Sequence, residues 1–160
     1  LNELVPKALA LRSEASRPQV VHQSGAQQIE ALRSNYTQAG VLAELTPFIE
    51  DTAQAFADAD IIIGRAGAST VTEIAALGAA TMFVPFPAAV DDHQTLNARF
   101  LVEAGGGWLI QQSDLTPEGL AGLLQTMTRA NLLERAEAAY QMKKINATAS
   151  VVAACEELAL

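Results

Sequence analysis

Asp60-Ile61-Ile62-Ile63-Gly64-Arg65-Ala66-Gly67-Ala68-Ser69-Thr70-Val71-Thr72-Glu73-Ile74-Ala75-Ala76-Leu77 is the stretch that sets the architecture. Its three consecutive isoleucines form a β-branched run with no polar alternation, as in a parallel strand buried on both faces. A turn of small residues, Arg65 apart, comes next. Val71, Ile74 and Ala75 then recur at helical spacing, predicting a helix from about Ser69 to Leu77. A strand that leaves through a small-residue turn into a helix is the unit from which α/β folds are built.

The same unit recurs on both sides. Upstream, an opening helix runs to about Glu14, and Pro18 to His22 reads as a strand ending at Ser24-Gly25. Ile29, Leu32 and Tyr36 fall on one helical face, with Gly40 in the terminating position. Val41 to Leu45 is a second strand, stopped by Pro47, and Asp51 can cap a short helix containing Ala55, Phe56 and Ala59. Downstream come a strand at Thr81 to Val84, a loop with Pro85 and Pro87, and a helix from Asp92 to Ala104. Gly105-Gly106-Gly107 then leads into Trp108-Leu109-Ile110, and from Thr116-Pro117 onward the pattern is helical only. Strand and helix alternate five times over short connections. That predicts a doubly wound, Rossmann-like parallel sheet in a single domain spanning 1–160, with ligands at the carboxyl ends of the strands.

Composition narrows the possibilities. Of 160 residues, 50% are hydrophobic and 18% charged, which excludes a disordered chain. No run approaches the roughly 18 apolar residues of a spanning helix. A single cysteine excludes a disulfide scaffold, and two histidines without metal-ligand spacing argue against a protein-built metal site. No cofactor is expected. The net charge of -8 argues against nucleic acid and against docking on anionic lipid through the bulk field. The chain opens with Leu1-Asn2-Glu3-Leu4-Val5-Pro6, the first turn of a helix, which suggests a piece of something longer.

Two strand-to-helix loops hold the candidate chemistry. At Gly64 to Glu73, small side chains would let a ligand approach the backbone. The helix start there offers unpaired N–H groups and a positive dipole end, which suit a diphosphate. Thr70-Val71-Thr72-Glu73 also fits a capping box in which Glu73 reaches back to the cap N–H. Both readings stand on pattern alone. The glycine spacing is not that of a dinucleotide fingerprint. The second loop, Pro85 to Asn97, lies on the same rim. Asp91 or Asp92 can cap its helix, and His93 and Asn97 share a face with Gln94 beside them, amides and an imidazole that suit sugar hydroxyls. On pattern alone His93 reads more readily as a surface residue than as a catalyst, and Arg65 equally as a phosphate contact or the partner of a surface acid. Trp108 reads as core packing.

These segments together resemble the MurG family of bacterial GT-B glycosyltransferases. The likeness rests on Asp60 to Ile63, Gly67-Ala68, Thr70, Glu73 to Ala76, Phe83 to Phe86, Asp92-His93-Gln94 and Asn97-Ala98, with His22 to Gly25 and Pro47-Phe48-Ile49 in support. The resemblance implies the C-terminal, donor-binding domain of an enzyme that transfers N-acetylglucosamine from UDP-N-acetylglucosamine to a lipid-linked muramoyl-pentapeptide. It implies that main-chain groups at Ile49 meet the uracil. Ala68, Ser69, Thr70, Val71, Thr72 and Glu73 would line the nucleotide, with Glu73 accepting from ribose hydroxyls. Gln94, with His93 beside it and Asn97 close by, would face the sugar. Ser69 and His93 depart from the family pattern, where a larger apolar residue and a second glutamine can occur.

The family further implies a G-G-S-x-G-A turn before Leu1-Asn2. It also implies an N-terminal domain with the general base, the lipid acceptor site and the membrane-contacting patch, so no catalytic residue is assigned within this chain. A peripheral location at the cytoplasmic face of the bacterial plasma membrane follows from the same resemblance. Two alternatives remain: another GT-B transferase using a different UDP-sugar, which donor comparison would separate, and a non-catalytic doubly wound binding module.

Overall fold

Every apolar run picked out above becomes a strand of three residues, and each is followed by a helix. The computed structural model describes residues 1–158. In chain order the elements are α1 (Leu4–Ala10), a 3-10 turn (Glu14–Ser16), β1 (Val21–Gln23), α2 (Ile29–Ala39), β2 (Glu44–Thr46), α3 (Thr52–Asp58), β3 (Ile62–Gly64), α4 (Ala68–Leu77) and β4 (Thr81–Phe83). A 3-10 turn (Val90–Asp92), α5 (His93–Val102), β5 (Gly107–Leu109), α6 (Pro117–Thr126), α7 (Arg129–Gln141) and α8 (Ala147–Leu158) complete the chain. All strand pairing is parallel, as expected of the α/β class, in two ladders: β1 with β2, and β3-β4-β5. The first two strands each begin three residues later than the apolar pattern suggested. Among the described residues no helix is long and apolar enough to cross a membrane.

Contacts divide the chain into two units. The first comprises residues 1–55 and 111–128. Its buried side chains include Leu9, Leu32, Tyr36 and Leu120, with α1 against α2 and α6. Gly40 ends α2 in the left-handed conformation, φ 61°. Thr116 caps α6 by accepting the Gly119 N–H, and Asp51 accepts the Gln54 N–H. His22 on β1 lies between the Tyr36 hydroxyl (3.0 Å) and Asn2 Oδ1 (3.2 Å), and burial, chiefly, lowers its pKa to about 4.

The unfolded imidazole titrates near 6.5, so between pH 6.5 and 4 the unfolded chain binds more protons. The stability contributed by neutral His22 should therefore be complete above pH 6.5 and fade as pH falls toward 4. Allowing for solvent screening of a partly exposed ring, the loss is about 1–2 kcal/mol. Urea unfolding at pH 7 and pH 5 should show it, and a His22→Gln variant should lack that component.

The second unit comprises residues 56–110 and 129–160. Phe83, wholly buried on β4, is the centre of its core with Ile74, Val71, Ala98, Leu101 and Ala139. Helix α4 contacts α5 and α7, and α5 packs on β5. Trp108 is half-buried and carries the Arg135 guanidinium 4.1 Å over its ring, so the core role expected of it is shared with a cation.

Candidate functional site

The site in the second unit forms where β3 and β4 release the chain. After β3, Gly67 takes extended angles (φ -63°, ψ 148°) and occupies the N-cap of α4, and no side chain caps the helix. The first intrahelical bond runs from the Val71 N–H to the Gly67 carbonyl (3.0 Å), so the N–H groups of Ala68, Ser69 and Thr70 have no acceptor among the described residues. Helix α4 therefore starts one residue before the predicted Ser69. This overturns the capping-box alternative. With Gly67 at the N-cap, Thr70 is the third helical residue and Glu73 the sixth, too far along to reach the cap N–H. Glu73 is exposed, and its carboxylate makes no hydrogen bond among the described residues.

Gly67 has no structural need to be glycine. Its backbone angles suit any residue, and a Cβ there would meet nothing nearer than Thr70 Oγ1 at 3.6 Å. Nor would a Cβ at Gly64 meet anything within 4 Å. Bare backbone at a helix start, kept where the fold leaves room for a side chain, is what close approach by a ligand requires. Ser69, Thr72 and Glu73 are exposed, with Ser69 and Glu73 on one face four residues apart. Val71 points into the core and its N–H is taken by the Gly67 carbonyl, so it supports the helix start without offering a donor of its own. The Thr72 hydroxyl donates to the Ala68 carbonyl (2.9 Å).

The loop after β4 is tied to the loop after β3 by three side chains. Arg65 Nη1 donates to the carbonyls of Val84 (3.0 Å) and Pro85 (2.8 Å), and its guanidinium lies 5.3 Å from the centre of the Phe86 ring. Burial lowers its pKa. These backbone contacts are ones neither sequence reading of Arg65 foresaw. Gln94 Oε1 accepts the N–H groups of both Ala66 (3.3 Å) and Phe86 (3.0 Å). Asn97 Nδ2 donates to the Ala66 carbonyl (3.0 Å). Gln94 and Asn97 are thus brought onto the backbone just ahead of α4, while His93 is exposed at the start of α5. Asp91 and Asp92 both adopt left-handed angles (φ 52° and 51°). Asp92 holds the N-cap position, but its carboxylate accepts the Thr95 hydroxyl (2.6 Å) and no backbone N–H, which corrects the expected cap.

Ile49 lies in the first unit. Its N–H donates to Gln23 Oε1 (2.8 Å), a contact the sequence did not suggest, and nothing among the described residues donates to its carbonyl. A cleft of about 520 Å³ in the same unit, lined by Leu11, Arg12, Ser13, Ser16, Glu118 and Gln125, contains none of the predicted residues. Its one cation, Arg12, donates to the Ser16 and Ala121 carbonyls.

Comparison with known proteins identifies the family. Residues 1–157 match the glycosyltransferase family 28 C-terminal domain. The chain is 73% identical over 159 residues to the UDP-N-acetylglucosamine--N-acetylmuramyl-(pentapeptide) pyrophosphoryl-undecaprenol N-acetylglucosamine transferase of Polaromonas naphthalenivorans (strain CJ2), covering 99% of this chain and 44% of that protein. It is 57% identical to the protein of the same name from Azoarcus sp. (strain BH72), covering 45% of it. The chain thus spans less than half the length of these relatives. The crystal structure of Acinetobacter baumannii MurG superposes with a TM-score of 0.89 at 46% identity, over 98% of this chain and 48% of that one. The glycosyltransferase VinC in complex with dTDP shares the fold at a TM-score of 0.61 and 21% identity, over 88% of this chain and 32% of that one. An α/β chain that matches along nearly its whole length belongs to glycosyltransferase family 28, as its C-terminal domain.

Proposed function

We propose that this chain is the donor-binding domain of an inverting N-acetylglucosaminyltransferase of peptidoglycan synthesis. The observation that carries the reading is the start of α4: three N–H groups without acceptors, no Cβ at residue 67, and the unpartnered Glu73 carboxylate further along the helix. At 1.5 Å rise per residue, Ser69 and Glu73 stand about 6 Å apart along the axis. That spacing lets one end of the site take the diphosphate and the other the ribose. Gln94, Asn97 and the exposed His93 would face the sugar, and the main chain at Ile49 would meet the uracil.

In the reaction, the C4 hydroxyl of undecaprenyl-diphospho-N-acetylmuramoyl-pentapeptide attacks the anomeric carbon of UDP-N-acetylglucosamine. The new C–O bond forms as the bond to the diphosphate breaks, UDP leaves with the electron pair, and the hydroxyl proton passes to a base. Negative charge grows on the leaving diphosphate. N–H donors already aimed at it from α4 stabilise that charge without reorganising. Since the curated relatives are more than twice as long, we assign the base, the lipid-linked acceptor and the membrane contact to the part of the enzyme outside these residues. The setting proposed is peripheral, at the cytoplasmic face of the bacterial plasma membrane. Cell-wall growth, and with it cell shape and division, would depend on the product. No nucleic-acid partner is invoked.

Glu73→Ala in the intact enzyme should weaken UDP binding by roughly 10- to 150-fold, the equivalent of about 1.5–3 kcal/mol for hydrogen bonds to a charged acceptor. Titration calorimetry reads this directly. Unchanged affinity would remove Glu73 from the ribose and the reading with it.

A further inference from the structure

We propose that Arg65 is a positioning residue for the donor sugar, acting through the Val84–Phe86 turn on Gln94. The inference rests on the donor-site reading above and adds a residue to it. Val84 and Pro85 are buried, and among the described residues no backbone N–H reaches either carbonyl; Arg65 Nη1 donates to both. The turn it holds continues into Phe86, whose N–H donates to Gln94 Oε1. The other donor to that oxygen is Ala66, the residue next to Arg65 in the chain. Arg65 therefore fixes the distance between the two N–H groups that clamp one amide oxygen. With Oε1 so occupied, Gln94 has its NH2 left to offer a sugar oxygen. If the turn relaxes, the amide loses the second of its two donors and its orientation with it. The Nη1 atom, committed to carbonyls, is not a phosphate ligand in this arrangement.

The consequence is a split between nucleotide and sugar. In the intact enzyme, Arg65→Lys should leave the Kd for UDP within about threefold and lower kcat/KM for UDP-N-acetylglucosamine by about tenfold or more, because the ammonium of a shorter lysine lacks the reach and the fixed N–H geometry with which the guanidinium Nη1 serves both carbonyls. On a Gln94→Ala background the same substitution should add little, since residues acting as one unit are not additive. A merely structural Arg65 would lower stability and leave the two losses additive. Arg65→Ala is the harsher variant, and if it fails to fold the lysine variant still gives the readout. The proposal is overturned if Arg65→Lys weakens UDP binding tenfold, if kcat/KM is unchanged, or if the double variant shows the product of the single losses. Glu73→Ala in the same series reports separately on the donor site. Should that variant keep full UDP affinity, the site reading fails, while the coupling of residues 65 and 94 in thermal midpoint still tests the clamp.

Discussion

Gly67→Asp should make the protein more stable and nearly blind to UDP. At the N-cap of α4 an aspartate can accept the N–H of Thr70, and its charge opposes the positive end of the helix dipole. Glycine is already a fair cap, so the gain is roughly 0.5–1 kcal/mol, a rise of a few degrees in melting temperature. The Cβ fits, with its nearest neighbour at 3.6 Å. For the ligand the same change is severe. A carboxylate placed about 4 Å from a phosphate repels it by about 4 kcal/mol at an effective dielectric of 20, before any steric overlap. Loss of UDP affinity by a hundredfold or more is expected. Thermal melting and UDP titration on one preparation check both halves; a stabilised variant that bound UDP normally would place the anion elsewhere.

A second glycine should behave in the opposite way. Gly107 opens β5 directly opposite Thr81 of β4. A Cβ there would lie 2.5 Å from the Thr81 carbonyl oxygen and 3.4 Å from the Phe83 ring. Both neighbours are fully buried, and β4 is held on each side by a ladder, so neither can yield without breaking the pairing. Gly107→Ala should cost about 3 kcal/mol or more, a fall of roughly 6–12 °C in melting temperature for a chain of this size. Gly64→Ala, where nothing lies within 4 Å, is the matching control and should be close to neutral in stability. A melting temperature unmoved by Gly107→Ala would contradict the close approach of β4 and β5.

Much of this could be read before any coordinates, and the reasons differ by element. Gly40, Asp51 and Thr116-Pro117 mark helix ends through local backbone chemistry, and each acts where the pattern placed it. Strand positions were legible only within a few residues. An apolar run shows that a segment is buried, whereas the extent of a strand depends on which carbonyls its neighbours present. The start of α4 was missed by one residue because Gly67 caps the helix by conformation alone, leaving no side-chain signal. With the N-cap at Gly67, three residues ahead of the Thr70 that a capping box would need, Glu73 lies out of capping range. The ties made by Arg65, Gln94, Asn97 and Gln23 join residues 8 to 31 positions apart in sequence, and contacts of that kind impose no period on the chain. The resemblance singled out Gln94 and Asn97 for what they would touch; their bonds to the protein's own backbone had no counterpart in it.

The segment between Phe86 and Asp92 is pinned at both ends, by Gln94 on the Phe86 N–H and by Thr95 on the Asp92 carboxylate. Its middle, Pro87 to Ala89, is largely exposed. Inserted residues there would be absorbed as a bulge into solvent, with α5 and the amide of Gln94 held by the flanking anchors. The loop can thus be treated as a graft point, where peptide tags or added residues enter while the register of the residues proposed to face the sugar is kept.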